Sequence, residues 1–192
     1  ICSYTENGTP HHIDHTLKTE RSSIEYDSLN RITYYKDEVL YDDAAPDLHT
    51  ITYFGVSGFE PDGTTPIKVS PTYDAFGRLL DYWELKHELG STTVDTISLV
   101  NGQELITQTQ VSIDAVTKVH KTDMYYRPSG ELTGYHEMIV DSQNRITDRF
   151  MSNILYNPLN QMFAYHEESS SQLQAGQDLY ISTILDRTNI LY

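Results

Sequence analysis

The sequence predicts an all-β fold, an antiparallel meander of about twelve strands forming a curved open sheet or a barrel. Two observations carry this expectation. A ten-residue pattern with a turn signal at its centre recurs five times, and the segments between turns are rich in Thr, Tyr, Val and Ile. The aromatic content points the same way, with 15 Tyr against five Phe and one Trp, a skew toward an amphipathic ring with high strand propensity. A chain of 192 residues fits one domain of this class better than two. Residues 1–18, which contain Asn7-Gly8-Thr9-Pro10, are expected to form a flexible amino-terminal segment, and residues 19–192 a single β-sheet domain.

The repeat begins at Tyr26-Asp27-Ser28-Leu29-Asn30-Arg31-Ile32-Thr33-Tyr34-Tyr35 and returns at Tyr73, Tyr126, Val140 and Tyr156. Its fifth position is Asn30, Gly77, Gly130, Asn144 or Asn160, the residue types that tolerate positive φ. Pro128 and Pro158 stand at the third position, where their fixed φ suits a type I turn. Together these predict a strand, a type I turn with a glycine-type bulge, and a second strand. Starts are separated by 47, 53, 14 and 16 residues, and the copy at Val140 departs by ending Arg149-Phe150-Met151. Further hairpins are signalled by Pro61-Asp62-Gly63 and by Asn101-Gly102. Helix signals are thin: Trp83 to Leu89 continues a strand, and Ser169 to Leu179 opens on three serines that read as a loop.

These residues carry a resemblance. Tyr73-Asp74-x-x-Gly77-Arg78-Leu79 and Tyr26-Asp27-x-x-Asn30-Arg31-Ile32 resemble the YD repeat of Rhs-type and teneurin-type proteins, and the signature is also similar to that of small repeat-containing β-rich lipoproteins of Bacteroidetes. The resemblance implies strands of a long curling sheet and an extracytoplasmic setting: secreted, periplasmic or surface-attached. Cys2 stands where a lipidated cysteine would, although Ile1 replaces the small residue expected before it. No apolar run approaches the roughly 20 residues of a spanning helix, so no membrane span is expected. A formal charge of −15, from 28 acidic against 13 basic residues, repels phosphate backbones, and nucleic acid is not an expected partner.

Simple alternation after each turn puts the sixth, eighth, tenth and twelfth positions of a copy on one face. That groups Tyr35 with Arg31, Thr33 and Asp37; Tyr82 with Glu84; Tyr135 with Glu137; and Tyr165 with Glu167. Rings flanked by carboxylates can stack on sugars and accept hydroxyl hydrogen bonds, so these residues, with Trp83 beside Tyr82, are the candidate ligand-binding set. The same residues equally suit cross-strand pairs that hold register. A single bulge would move half of them to the other face. The expected function is a non-enzymatic binding or structural module of a bacterial cell envelope, with carbohydrate or another envelope protein as partner. Two alternatives are a shell of the Rhs type holding a partner polypeptide, and a hydrolase or lyase using His136 and His166 with nearby carboxylates. No cofactor is expected. His11, His12 and His15 supply metal-type donors at close spacing, but alternate residues of a strand point apart, so no metal site is assigned to them.

Overall fold

The computed structural model describes residues 2–6, 9–13, 17–42, 48–100, 103–172, 180–188 and 190. The repeat builds the same turn five times. Its fifth residue takes positive φ in every copy, at 61° for Asn30, 78° for Gly77, 102° for Gly130, 58° for Asn144 and 59° for Asn160. The amide of the fifth residue donates to the carbonyl of the second, and the amide of the second donates to the carbonyl of the sixth, as in Asn30 N to Asp27 O at 3.0 Å and Asp27 N to Arg31 O at 2.9 Å. These two bonds close a type I turn with a bulge, as the sequence predicts.

The second residue explains why the motif favours Asp. Asp27 Oδ1 accepts from the amides of Leu29 and Arg31 at 2.8 and 2.9 Å, and its Oδ2 accepts from Arg31 Nε at 2.7 Å. Asp74 with Arg78 repeats this arrangement, and Asp141 with Arg145 repeats the turn bonds and the ion pair. Asn157 keeps the two amide bonds and replaces the ion pair by a bond from Nδ2 to Gln161 Oε1. One short side chain thus satisfies amides that the tight turn would otherwise leave unpaired.

The turns connect strands β1 (Cys2–Glu6), β2 (Thr9–Ile13), β3 (Leu17–Tyr26), β4 (Ile32–Asp42), β5 (Leu48–Phe54), β6 (Val56–Phe59), β7 (Pro66–Lys68), β8 (Thr72–Tyr73), β9 (Leu79–Val100), β10 (Gln103–Tyr126), β11 (Leu132–Val140), β12 (Ile146–Tyr156), β13 (Met162–Gln172) and β14 (Tyr180–Arg187). Strands β1 and β2 pair with each other as a separate two-stranded sheet. Among the described residues a ten-stranded antiparallel sheet runs in the order β14-β13-β12-β11-β10-β9-β5-β4-β3, with β8 also on β9. Strands β3 and β14 lie at its two ends, so of the two expected shapes the sheet takes the open one. It begins at Leu17, two residues before the expected domain start. Asn101 and Gly102 lie outside the described residues, while Val100 pairs with Gln103 across them.

The uneven spacing of the copies follows from two insertions. Strand β5 ends with Phe54 opposite Glu84, and β8 resumes along the same strand with Thr72 opposite Asp81. Between them the β6–β7 hairpin leaves the sheet at Gly55, whose φ is 73° and whose added Cβ would lie 2.2 Å from the Thr33 carbonyl oxygen, so only glycine fits. Asp62 caps this hairpin through the amides of Thr64 and Thr65, and bonds first to the Thr65 hydroxyl, which hold its carboxyl down at about 2. The hairpin folds back over one face of the sheet, where Val56, Leu85 and Tyr34 form the buried cluster with Tyr53, Phe59 and Val116 around it. The second insertion is the extension of β9 and β10, which pair with each other from Tyr82 to Gln103, well beyond the reach of β5 and β11.

Strand direction also explains the deviant copy. In a meander the turns at 27–31, 74–78, 127–131 and 157–161 fall at one end of the sheet, and the turn at 141–145 falls at the other. The copy that has Val140 in place of Tyr is the one with no repeat turn beside it.

Candidate functional site

Alternation along the strands divides the candidate residues between two faces. On one face an unbroken row crosses six strands. The guanidinium of Arg21 lies 3.8 Å over the Tyr35 ring, Tyr35 stacks on Phe54 at 5.0 Å, and Phe54 meets Tyr82 at 5.2 Å. Lys121 Nζ then sits 6.0 Å from the Tyr82 ring centre and 4.2 Å from that of Tyr135. Two residues further along each strand lies a row of charge. Arg21 and Asp37 form a two-pronged pair, with both contacts at 2.7 Å. Glu137, only 8% exposed, accepts from Arg149 Nη1 at 2.9 Å and lies 3.1 Å from Lys121 Nζ. Arg149 Nε reaches toward Glu167 at 3.4 Å but is buried without a hydrogen bond. Tyr165 shares this face, two residues before Glu167, and stands opposite Arg187.

Tyr35, Tyr82, Glu84, Tyr135, Glu137, Tyr165 and Glu167 therefore come together on one surface. Most of its charges are already matched, and Glu84 is the exception: it makes no hydrogen bond or ion pair among the described residues. Burial raises the Glu84 carboxyl above its ordinary value, opposed by Lys121 and reinforced by Glu137 and Asp37. Burial, with Glu84 and Glu137 nearby, pushes the Tyr82 phenol up to about 12.

Trp83 does not join this set. It points through the opposite face, where its ring stacks on His120 at 4.1 Å. The five histidines whose side chains are described all lie on that face, and each meets a carboxylate. His49 pairs with Glu38 at 2.8 Å, His87 with Asp114 at 2.8 Å, His120 with Asp81 at 3.2 Å and His136 with Asp148 at 3.3 Å. His166 meets Asp186 at 2.6 Å and Glu168 at 3.1 Å, and these hydrogen bonds raise its pKa, Asp186 contributing most. His136 stacks on Phe150 at 4.1 Å beside a cleft of about 320 Å³ that Tyr125, Gly134 and Met151 also line. His136 and Glu137 point to opposite faces, as strand geometry requires. The side chains of His11, His12 and His15 lie outside the described residues, and no metal-type cluster of three donors occurs among those described.

A third arrangement joins the repeats to each other. Tyr73 Oη donates to Ile32 O at 2.5 Å, and Arg31 lies 4.8 Å from the Tyr73 ring centre. The next copy repeats it: Tyr126 Oη donates to Leu79 O at 2.7 Å, and Arg78 lies 4.8 Å from the Tyr126 ring and donates from Nη1 to Arg127 O at 2.9 Å. The tyrosine that opens one copy is clasped by the arginine and following carbonyl of the copy before it. No family model matches the chain, and neither the curated proteins nor the solved structures contain a match. The clasp therefore rests on the geometry of this chain alone.

One element escaped the sequence reading. Ser23, Asp123 and Asn153 take positive φ at 54°, 51° and 52°, three residues before Tyr26, Tyr126 and Tyr156, and the pairing register shifts at each. The signal was present as Ser22-Ser23-Ile24-x-Tyr26, Thr122-Asp123-Met124-x-Tyr126 and Ser152-Asn153-Ile154-x-Tyr156, an extension of the repeat toward the amino end. Two bulges per hairpin, one on each side of the opening tyrosine, increase local twist and bend the strands.

Proposed function

We propose that the chain is a non-enzymatic structural and binding module of a bacterial cell envelope, a wall of sheet whose tyrosine face meets carbohydrate. The observation that carries the wall is the Arg31–Tyr73–Ile32 clasp and its copy at Arg78–Tyr126–Leu79, which spend the most recognisable repeat residues on joining neighbouring turns. Supporting the binding part, Tyr82 and Tyr135 flank Lys121, and the unmatched Glu84 sits beside them with acceptor capacity to spare. Amphipathic rings next to charged hydrogen-bonding groups are the chemistry that a sugar's apolar face and hydroxyls require.

Affinity electrophoresis against soluble polysaccharides tests this reading, with Tyr82→Ala and Glu84→Gln run beside the parent. The expected result is retardation by at least one polysaccharide and its loss in Tyr82→Ala of unchanged circular dichroism. Absence of retardation across the panel removes the carbohydrate ligand, and turnover of any glycan removes the non-enzymatic assignment.

A second reading is favoured by the sheet's two ends. Strand β3 pairs only with β4, and β14 only with β13, among the described residues, so each presents an outer edge to which further strands can add. That suits a shell of the Rhs type that holds a partner polypeptide. Isolation from the native host with a second chain bound supports it, and a strictly unaccompanied monomer counts against it.

A further inference from the structure

Strands β9 and β10 run on as a two-stranded ribbon after their neighbours in the sheet have ended. Pairing with β5 stops at Gly90 and pairing with β11 stops at Lys118, while β9 and β10 continue together to Val100 and Gln103. A lone two-stranded ribbon is marginally stable in water. This one also leaves apolar side chains uncovered: Val94 and Val111 are exposed, and Ile97 and Ile106, which stand directly opposite each other, are 64% and 59% exposed.

The outer edge of β10 is where this ribbon is open to a further strand. From Glu104 to Thr117, β10 has β9 on one side and no strand on the other among the described residues. At roughly 3.3 Å per residue, residues 104–117 present an edge of about 45 Å. Exposed edges are ordinarily guarded by charge, proline or a bulge. Residues 105–113 contain no charged residue and no proline, and the register between β9 and β10 runs from Gln103 to Lys121 without a shift. The other edges differ. Strand β3 carries Lys18, Glu20, Arg21 and Glu25 and shifts register along its length, β14 is shorter and closes on Asp186 and Arg187, and β9 has Asp95 within its own stretch of the ribbon.

We propose that this edge pairs with the same edge of a second copy of the chain, antiparallel and about a two-fold axis at Gln108, so that two ribbons become one four-stranded sheet. With the axis there, Thr107 meets Thr109, Ile106 meets Gln110 and Glu104 meets Ser112, so no charge stands opposite its like. Moving the axis one residue to Thr109 would set Glu104 against Asp114, a destabilising pair. An uncharged edge that complements itself about a two-fold axis is the requirement of an isologous interface. Repulsion between two chains of charge −15 opposes the association, and salt screens that repulsion. The pairing uses neither the tyrosine face nor the outer edges of β3 and β14, so it stands or falls apart from the readings above.

The test is sedimentation equilibrium of the full chain at low and high salt, about 0.05 and 0.5 M. The expected result is a reversible dimer whose Kd falls as salt rises. Gln108→Lys sets two ammonium groups opposite each other at the axis while facing Asp95 within its own ribbon, so it is expected to weaken the dimer at least about tenfold with unchanged circular dichroism. In a Cys2→Ser background, Gln108→Cys is expected to cross-link two copies through a disulfide on air oxidation, and Asp95→Cys, on the other strand of the ribbon, is expected to do so far more slowly. A monomer at both salt concentrations, a dimer that Gln108→Lys leaves unchanged, or equal cross-linking at positions 95 and 108 overturns the proposal.

Discussion

Tyr73 Oη donates to the carbonyl oxygen of Ile32 at 2.5 Å, across 41 residues of sequence, while Arg31 covers the same ring. The opening tyrosine of a copy thus belongs to the previous copy as much as to its own. Tyr73→Phe and Tyr126→Phe each remove one such bond, and each is expected to cost about 1 kcal/mol, the usual net worth of a hydrogen bond. Tyr26, which opens the copy at residues 26–35, makes no such bond among the described residues and is 53% exposed. Tyr26→Phe is accordingly expected to stay within about 0.5 kcal/mol of the parent. Urea denaturation of the three variants checks the contrast.

Asp74 serves its turn twice, by two amide bonds and by its pair with Arg78. Asp74→Ala loses both and frees Arg78 from its place over Tyr126, for an expected cost of about 1–2 kcal/mol. Asp74→Asn keeps the amide bonds, as Asn157 does naturally in the fifth turn, and is expected to cost less than half as much. Equal losses in the two variants, measured by thermal denaturation, would show that the ion pair and not the turn capping carries the effect.

The turns were legible in the sequence because their determinants are local: Asp27 and Asn30 act within five residues of each other, so the pattern and its conformation coincide. The face grouping of Tyr35, Tyr82, Tyr135 and the carboxylates was legible because every strand after a turn starts in the same phase. Trp83 was grouped with Tyr82 by adjacency, and pleating sends adjacent side chains to opposite faces. The clasps were not legible, since they join residues such as Arg78 and Tyr126 whose proximity depends on strand order. The bulges at Ser23, Asp123 and Asn153 were missed because they fall inside strands with no turn signal beside them, and the three positions share no one residue type that marks positive φ.

Glu84 gives the sheet a pH dependence of known sign. Its folded-state pKa lies above the ordinary 4.5, so the folded protein holds this proton more tightly than the unfolded chain. Its contribution to stability therefore falls as pH rises from about 4.5 through the raised value, and is level above it. Glu84→Gln is expected to flatten that part of the stability profile and to be more stable than the parent at pH 7, by an amount on the order of 1 kcal/mol. Chemical denaturation at pH 4, 5.5 and 7 measures it, and a Gln variant weaker than the parent at pH 7 would contradict the assignment.

Gly55 is where the β6–β7 hairpin leaves the sheet, and it combines a φ of 73° with a Cβ position 2.2 Å from Thr33 O. Gly55→Ala is expected to cost roughly 2–4 kcal/mol, because both the backbone conformation and the close approach are lost. Hydrogen exchange should show the opening concentrated at the amides of Gly55 and Val69, whose bonds to Trp83 O and Gly55 O tether the hairpin. Loss of protection spread evenly over the sheet would place the strain elsewhere.

The most direct test of the clasp is a double-mutant cycle between Arg78 and Tyr126, made with Arg78→Ala and Tyr126→Phe singly and together. The clasp predicts a coupling of about 0.5–1.5 kcal/mol, because removing the phenol lets the ring shift from under the guanidinium and removing the guanidinium loosens the ring's bond to Leu79 O. Strictly additive losses would mean that the two residues stabilise their own turns independently, and that the repeats are not joined to one another in this way.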